Sequence, residues 1–344
     1  MQRKRIAILG STGSIGRSAL DLIERLNDMG ESPRFEVVAL AANRSADELV
    51  AQVRRVRPLL ASVGSEDLAA KVREGIGDTP TRIVHGPEGL REVATLPAAD
   101  LVLAGIVGAA GLAPTYAAVE MGKTVALANK EALVMAGDLM LSAARRSGAV
   151  LLPVDSEHNA LHQCLRGEHV AEVRRLVLTA SGGPFLARPG TDLSNVTPEE
   201  ALAHPTWVMG RKISIDYATL MNKALEIIEA HWLFDLQGAR ISVIVHQQSI
   251  IHSMVEFVDG SFVAQLGATD MRHPIQYALT HPERCDTPLK PLDLAALAPM
   301  RFIEPDTGRF PSLALGWRAL AAGGTMPAVL NAAEARGERS FFAT

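Results

Sequence analysis

The feature that most constrains the fold is a short apolar run near the N-terminus that breaks into a glycine-rich turn. The apolar run covers residues 6–9, and glycine recurs at every third position through residues 10–16. Apolar residues then return at helical intervals over residues 19–26. Strand, glycine turn and helix in this order predict the start of a parallel sheet, with backbone N–H groups placed to bind a pyrophosphate. A tight structural turn is the alternative, because the spacing is G-x-x-G-x-x-G rather than G-x-G-x-x-G.

Strand patterns that alternate with helical stretches continue this arrangement. They cover residues 35–40, 101–104, 124–128 and 149–154. The alternation predicts a Rossmann-like, doubly wound parallel sheet in an N-terminal domain over residues 1–149. The rest of the chain predicts an α+β catalytic domain over 150–285, a linker over 286–309 that is rich in proline and charge, and a shortened helical segment over 310–344.

The second predicted domain contains a hairpin and a long loop. Residues 252–258 and 261–266 are strand patterns on either side of Asp259 and Gly260, which predicts an antiparallel hairpin. A polar, proline-containing stretch that reaches Lys212 is long enough to be a lid or a binding loop. Trp207 lies in this stretch, where it either covers a ligand or packs the loop onto its own domain.

The end of the second strand pattern indicates which dinucleotide is bound. An NAD-binding sheet usually carries Asp or Glu there for the ribose hydroxyl, whereas this chain has Arg44 followed by Ser45. A guanidinium and a hydroxyl suit a 2′-phosphate, which favours NADP over NAD. The plain alternative is an exposed arginine at the start of a helix.

Two carboxylates form the candidate metal site. Asp155 and Glu157 follow the apolar pattern over 149–154 in the sequence. In an open α/β sheet, ligands bind at the carboxyl ends of the strands, which is where these two residues are predicted. Carboxylate oxygens are the ligands that Mg²⁺ and Mn²⁺ favour. Lys130 follows another strand pattern and is predicted at the same edge of the sheet, although Asn129 before it is also a good helix cap. An acidic turn with a helix cap is the alternative for the two carboxylates.

A later helical pattern over residues 218–234 offers a third carboxylate. Asn222, Lys223 and Glu226 fall on one face, apart from the apolar stripe. A solvated Lys–Glu pair three residues apart is the ordinary explanation. The functional alternative is that this face brings Glu226 and Lys223 to the predicted acidic site.

Composition restricts the partners and the compartment. Lys and Arg number 34 against 38 Asp and Glu, so there is no strongly basic character to indicate a nucleic-acid partner. The two cysteines have no C-x-x-C spacing, which fits a reducing cytoplasm. The first apolar run is too short for a signal segment, and no later stretch predicts a membrane span.

Six motifs together resemble the 1-deoxy-D-xylulose 5-phosphate reductoisomerase family, over residues 6 to about 333. They are Gly10-Ser11-Thr12-Gly13-Ser14-Ile15-Gly16, Asn129-Lys130-Glu131, Asp155-Ser156-Glu157-His158-Asn159, Ser181-Gly182-Gly183-Pro184-Phe185, His204-Pro205-Thr206-Trp207, and Met221-Asn222-Lys223 with Glu226. The resemblance implies an NADPH-dependent oxidoreductase of the non-mevalonate isoprenoid pathway that uses Mn²⁺ or Mg²⁺, with Co²⁺ as another option. It also implies a cytoplasmic homodimer acting on a small sugar phosphate, with neither nucleic acid nor membrane as a partner.

In this family the sugar phosphate is rearranged, commonly described as retro-aldol cleavage and re-addition. NADPH then reduces the branched aldehyde to 2-C-methyl-D-erythritol 4-phosphate. The implied metal ligands are Asp155, Glu157 and Glu226, which with Lys130 form the implied catalytic set. The implied substrate-binding residues are Lys130, Ser156, Glu157, Ser181, His204, Trp207, Tyr217, Asn222, Lys223 and Glu226. The implied cofactor-binding residues are Gly10, Ser11, Thr12, Gly13, Ser14, Ile15, Arg44, Ser45, Asn129, Glu131 and Gly210.

The chain departs from the family pattern at several positions. Tyr217 stands where the family has a serine of its phosphate-binding set, and a phenol places its oxygen several ångströms further out. Gln247 stands where the family has proline, which predicts a small effect on stability. From Glu334 the chain diverges and stops, which predicts lowered stability or association because an apolar helix face stays uncovered.

Two other functions compete with the reductoisomerase hypothesis. The first is an impaired or non-catalytic relative that still binds dinucleotide, motivated by Tyr217 and the short tail. The second is a semialdehyde dehydrogenase, which has a similar glycine turn but requires a cysteine nucleophile. Neither Cys164 nor Cys285 has a supporting base motif, which disfavours this second function.

Overall fold

The chain forms two compact units. The computed structural model describes residues 3–30, 34–186, 193–203 and 211–343. The first unit comprises Met1–Ala132, Asp138–Asp155 and Met271–Lys290, and the second comprises Leu133–Gly137, Ser156–Asp270 and Pro291–Thr344. The division between Asp155 and Ser156 lies six residues after the boundary expected at 149/150, and Met271–Lys290 joins the first unit rather than the second. The functional domain boundaries drawn from the sequence remain predictions.

A seven-stranded parallel sheet is the centre of the first unit. Its strands are β1 (Lys4–Leu9), β2 (Phe35–Ala41), β3 (Leu60–Val63), β4 (Arg82–His85), β5 (Leu101–Ala104), β6 (Thr124–Leu127) and β7 (Val150–Pro153). Their order in the sheet is β4-β3-β2-β1-β5-β6-β7. The chain therefore runs outward from β1 to one edge, returns to β5 beside β1, and continues to the other edge. The predicted Rossmann-like parallel sheet is confirmed.

Helices connect these parallel strands. They are α1 (Ser14–Asp28), α2 (Ala46–Val56), α3 (Glu66–Ile76), α4 (Gly86–Thr95), α5 (Leu112–Glu120) and α6 (Lys130–Ser147), with α11 (Arg272–Thr280) added from a later part of the chain. Helix α1 buries Ala19, Leu22 and Leu26, the apolar positions of its predicted pattern. These side chains join strand residues such as Ile6 and Leu103 in one apolar core.

Strands β3 and β4 were missed by the sequence prediction, which placed five strands in this sheet. Each is only four residues long, and β4 alternates between exposed Arg82 and buried Ile83. Strands β5, β6 and β7 are equally short but belong to predominantly apolar runs, whereas Ser62 interrupts β3, and β4 begins with Arg82 and ends with His85. Both strands pair in parallel at one edge, where β3 lies against β2 and β4 against β3.

A four-stranded mixed sheet is the centre of the second unit. Its strands are β8 (Val173–Ala180), β9 (Ile241–Val245), β10 (Ile251–Phe257) and β11 (Phe262–Leu266), in the order β11-β10-β8-β9. Strands β10 and β11 are antiparallel, which confirms the predicted hairpin. Strand β9 instead pairs with β8 in parallel.

Helices of the second unit cover this sheet and its loops. They are α7 (Ser156–Cys164), α8 (Pro198–Leu202), α9 (Arg211–Ala218), α10 (Met221–Phe234), α12 (Ser312–Ala322) and α13 (Met326–Ala343). The last two lie on either side of Gly323 and Gly324, so the predicted helical C-terminal segment consists of two helices. None of the helices in the described residues combines the length and the apolar character needed to span a membrane.

Candidate active site

The glycine turn after β1 lies at the point where the sheet order reverses. Gly10 has φ +83°, and a Cβ there would stand 2.9 Å from the carbonyl oxygen of Gly105, which follows β5. Only glycine fits both the backbone angle and this close approach. Helix α1 begins at Ser14, directly after N-cap Gly13, so its first N–H groups lie at the end of this turn. Such a helix start favours an anionic group.

The other predicted cofactor residues follow neighbouring strands of the same sheet. Arg44 and Ser45 are exposed directly after β2, one strand from the glycine turn. Asn129 follows β6 and caps α6 by accepting a hydrogen bond from the N–H of Ala132 at 3.0 Å. Its amide also donates to the carbonyl of Gly108 at 3.0 Å, so it ties the loop after β5 to the start of α6. These contacts place the predicted residues along the carboxyl edge of the sheet.

Lys130 and Asp155 lie together at this edge, as the sequence predicted. Lys130 starts α6 after β6, and Asp155 follows β7, the parallel neighbour of β6. Their Nζ and Oδ2 atoms are 2.5 Å apart, and both side chains are almost fully buried. A buried ion pair of this kind fixes both groups, because either charge would be strongly destabilised without the other.

A second buried cluster lies in the second unit. The Nζ of Lys223 is 3.1 Å from Oε1 of Glu157 and also donates to Oε2 of Glu226. Asn222 donates to the other oxygen of Glu226, and Ser156 donates to Oε2 of Glu157 at 2.7 Å. The ordinary alternative of a solvated Lys–Glu pair is wrong, because Lys223 is only 2% exposed and Glu226 is fully buried.

This cluster fits a divalent cation. Ligand oxygens of Glu157 and Glu226 lie within 4.8 Å of each other. Two buried carboxylates at that distance need a positive charge nearby, and the ammonium of Lys223 supplies one. Oxygen donors without sulfur match the preference of Mg²⁺ and Mn²⁺.

A buried histidine, His158, contacts a fourth carboxylate, Glu229, beside these donors. The sequence analysis did not predict this contact. His158 follows Glu157, and its Nε2 is 2.9 Å from the backbone carbonyl of Glu226. Its Nδ1 is 3.4 Å from Oε2 of Glu229, and both side chains are fully buried. The signal was the three-residue spacing of Glu226 and Glu229, which places both on one face of α10.

The turn that follows β8 carries another predicted residue, Ser181. Ser181 is 4% exposed, and its hydroxyl accepts a hydrogen bond from the N–H of Gly183 at 3.5 Å. A Cβ on Gly183 would stand 2.6 Å from the carbonyl oxygen of Tyr217, near the end of α9. The structure therefore brings Ser181 and Tyr217 to one turn, although 36 positions separate them in the sequence. The predicted residues His204, Trp207 and Gly210 lie outside the described residues.

Comparison with known proteins identifies the family. The family model for 1-deoxy-D-xylulose 5-phosphate reductoisomerase matches residues 6–137. Two further models, for C-terminal domains of the same enzyme, match residues 151–234 and 266–344. The chain belongs to the 1-deoxy-D-xylulose 5-phosphate reductoisomerase family.

Relatives within this family match almost the whole chain. The reductoisomerase of Symbiobacterium thermophilum is 56% identical over 345 residues, which cover 99% of this chain and 87% of the relative. That of Anaeromyxobacter dehalogenans is 54% identical over 342 residues, which cover 99% of this chain and 86% of the relative. The predicted family and the assignment as an oxidoreductase are confirmed.

Solved structures support the same conclusion. A reductoisomerase in complex with NADPH, fosmidomycin and magnesium has a TM-score of 0.93 at 43% identity, covering 99% of this chain and 85% of that one. The Zymomonas mobilis enzyme in complex with NADPH has a TM-score of 0.91 at 46% identity, covering 99% of this chain and 87% of that one.

Proposed function

We propose that this chain rearranges and reduces 1-deoxy-D-xylulose 5-phosphate to 2-C-methyl-D-erythritol 4-phosphate, with NADPH and a divalent cation. The observation that carries the proposal is the buried cluster in which Glu157 and Glu226 surround the ammonium of Lys223. A structural core rarely buries two carboxylates this close, whereas a metal-dependent active site requires them.

Asp155 is the third carboxylate of the proposed metal site. It stands two positions before Glu157, so chain geometry alone keeps their Cα atoms within about 7 Å. Lys130 holds the Asp155 carboxylate at 2.5 Å, and Lys223 holds Glu157 and Glu226. We assign Mn²⁺ or Mg²⁺ to this set, with Co²⁺ as another possible occupant, because all three donors are hard oxygens.

NADPH occupies the glycine turn in this proposal. The N–H groups at the start of α1 hold the pyrophosphate, with help from the hydroxyls of Ser11, Thr12 and Ser14. Arg44 and Ser45 take the 2′-phosphate, since a guanidinium pairs with phosphate through two hydrogen bonds. Asn129 and Glu131 border the nicotinamide end, where Asn129 already fixes the loop after β5.

The phosphate of the sugar binds in the second unit. Ser181, Asn222 and Lys223 supply a hydroxyl, an amide and an ammonium, which are all donors to a phosphate. Ser156 and Lys130 hold the sugar backbone, and His204 and Trp207 belong to the same substrate set. When bound, the divalent cation supplies Lewis-acid polarisation of substrate oxygens and the dinucleotide supplies the hydride.

Tyr217 is the departure from the family pattern that motivated the alternative of an impaired or non-catalytic relative, which the comparisons do not favour. Tyr217 is half-buried on α9. Its backbone carbonyl lies against Gly183, in the turn that carries Ser181. A phenol is bulkier than a hydroxymethyl group and places its oxygen further out, so it would not reproduce a serine's short contact with the phosphate. We further propose that the protein works in the cytoplasm as a homodimer, as the family resemblance implies.

One assay separates active enzyme from impaired relative. The purified chain is mixed with NADPH, 1-deoxy-D-xylulose 5-phosphate and Mn²⁺, and loss of absorbance at the NADPH band is followed with and without a chelator. We expect oxidation that needs both sugar phosphate and metal. NADPH binding without any oxidation would select the impaired relative, and absence of NADPH binding would refute both candidates.

A further inference from the structure

Helix α9 connects the two sides of the proposed phosphate pocket. At its C-terminal end, the carbonyl oxygen of Tyr217 lies against Gly183, which has φ +69° and leaves no room for a side chain. The same turn orients Ser181 through the hydrogen bond from Gly183 to its hydroxyl. A displacement of α9 therefore moves the backbone that holds Ser181.

The other side of the pocket begins where α9 ends. The chain passes through Leu220, which adopts a left-handed φ of +59°, and enters α10 at Met221. The first turn of α10 carries Asn222 and Lys223, two of the proposed phosphate ligands. Because only two residues separate the helices, the position of α9 also sets the start of α10.

A buried cluster of ionisable side chains connects α9 to the C-terminal helix α13. On α9, Lys212 and Asp216 are one turn apart, with Nζ 2.7 Å from Oδ2. The same Nζ is 3.1 Å from Oε2 of Glu334 on α13. The side chains of Asp216 and Glu334 are each 4% exposed, and that of Lys212 is 18% exposed. Because these side chains are buried, removing one of them leaves its partners without a compensating contact, which costs far more than the same loss on a surface.

Glu334 is held mostly as the neutral acid near pH 7. Burial raises the pKa of Glu334 to about 8, and the Asp216 carboxylate adds to the rise, whereas Lys212 lowers it. The other charged groups that line the cavity beside Glu334 are Arg309 and Glu338. Because the pKa is raised on folding, the stability contributed by the neutral acid is present at low pH and is lost as pH rises through about 8.

We propose that Glu334 and Lys212 are positioning residues for the phosphate end of the substrate site. They clamp α9 between α13 and the turn at Gly183, so that Ser181, Asn222 and Lys223 are held in register with one another. This inference rests on the proposed function and adds to it a contact from the C-terminal helix. That contact acts on the three ligands through α9 and not by binding the phosphate.

Substitution of Glu334 tests the clamp. In Glu334→Ala we expect the KM for the sugar phosphate to rise roughly tenfold, which corresponds to about 1.4 kcal/mol of substrate binding. We expect the Kd for NADPH to stay within about twofold, because the dinucleotide site lies in the first unit, and we expect kcat to fall by a smaller factor than the KM rises. Glu334→Gln keeps a neutral oxygen acceptor for Lys212 and should restore the wild-type KM at pH 7. Arg336→Gln, at an exposed position of the same helix, is the matched control and should change nothing.

The pH profile supplies a second readout that does not depend on the alanine variant folding. Above pH 8 the ionised Glu334 repels Asp216, so the wild-type KM should rise at least threefold relative to Glu334→Gln between pH 7 and pH 9.

The outcomes separate the inference from the function on which it rests. A folded Glu334→Ala with the wild-type KM overturns the clamp, and so does an equal loss of kcat and NADPH affinity. If Glu334→Ala does not fold, the clamp is overturned when the ratio of the wild-type KM to the Glu334→Gln KM stays constant between pH 7 and pH 9. A wild-type protein that binds NADPH but oxidises none with the sugar phosphate refutes the proposed function and the clamp together.

Discussion

Replacement of Lys223 by methionine should destabilise the metal-free protein, and a divalent cation should reverse much of the effect. Lys223 is 2% exposed and contacts both Glu157 and Glu226. Methionine keeps the aliphatic stem and removes the charge. The two carboxylates then remain buried, with oxygens within 4.8 Å of each other and without this ammonium.

The magnitude follows from the geometry. Two unit charges 4.8 Å apart repel by about 3.5 kcal/mol at an effective dielectric constant of about 20. Breaking a buried ion pair by removing one partner typically costs about 3–5 kcal/mol. At roughly 2–4 °C per kcal/mol for a domain of about 150–250 residues, the unfolding temperature should fall by about 6–20 °C.

Thermal unfolding with a chelator and with Mn²⁺ measures this effect. We expect Mn²⁺ to raise the unfolding temperature of Lys223→Met more than that of wild type, because the cation replaces the missing ammonium among the same oxygens. Lys71→Met is the matched control: Lys71 pairs with Asp47 at 2.7 Å, but both side chains are more than half exposed, so its loss should cost under about 1 kcal/mol. An unchanged unfolding temperature in chelator, or equal Mn²⁺ shifts in wild type and variant, would refute the reasoning.

Three further predictions concern separate parts of the chain. Gly10→Ala should weaken NADPH binding at least tenfold in a fluorescence titration, because its Cβ would stand 2.9 Å from the Gly105 oxygen at φ +83°; wild-type affinity would contradict this. Tyr217→Ser should lower the KM for the sugar phosphate, since it introduces the serine that the family has in its phosphate-binding set, and equal KM and kcat in both proteins would show that the tyrosine does not matter. At pH 8, iodoacetamide followed by mass mapping should modify partly exposed Cys285 well before Cys164, because burial raises the pKa of the Cys164 thiol to about 11 and keeps it protonated; faster labelling of Cys164 would reverse this.

Local patterns determined a large part of the fold. The strand, glycine turn and helix over the first 28 residues were predictable because each depends on neighbours in sequence and on a single buried face. The positions of Lys130 and Asp155 were also predictable, since residues that follow adjacent parallel strands emerge at one edge. Strands β3 and β4 were not, because Ser62 interrupts the first and Arg82 and His85 end the second, so neither is a continuous apolar run.

The sequence by itself determined the residue types of the candidate site, and the tertiary structure decided which of them meet. Asp155 and Glu157 were evident as acidic residues behind a strand, but only the packing of α10 against α7 buries Lys223 between Glu157 and Glu226. The contacts of His158 with Glu229 and of Lys212 with Glu334 likewise join residues 71 and 122 positions apart. The physical reason is that the cost of burying a charge depends on its partner, and a partner distant in sequence leaves no local periodicity to detect.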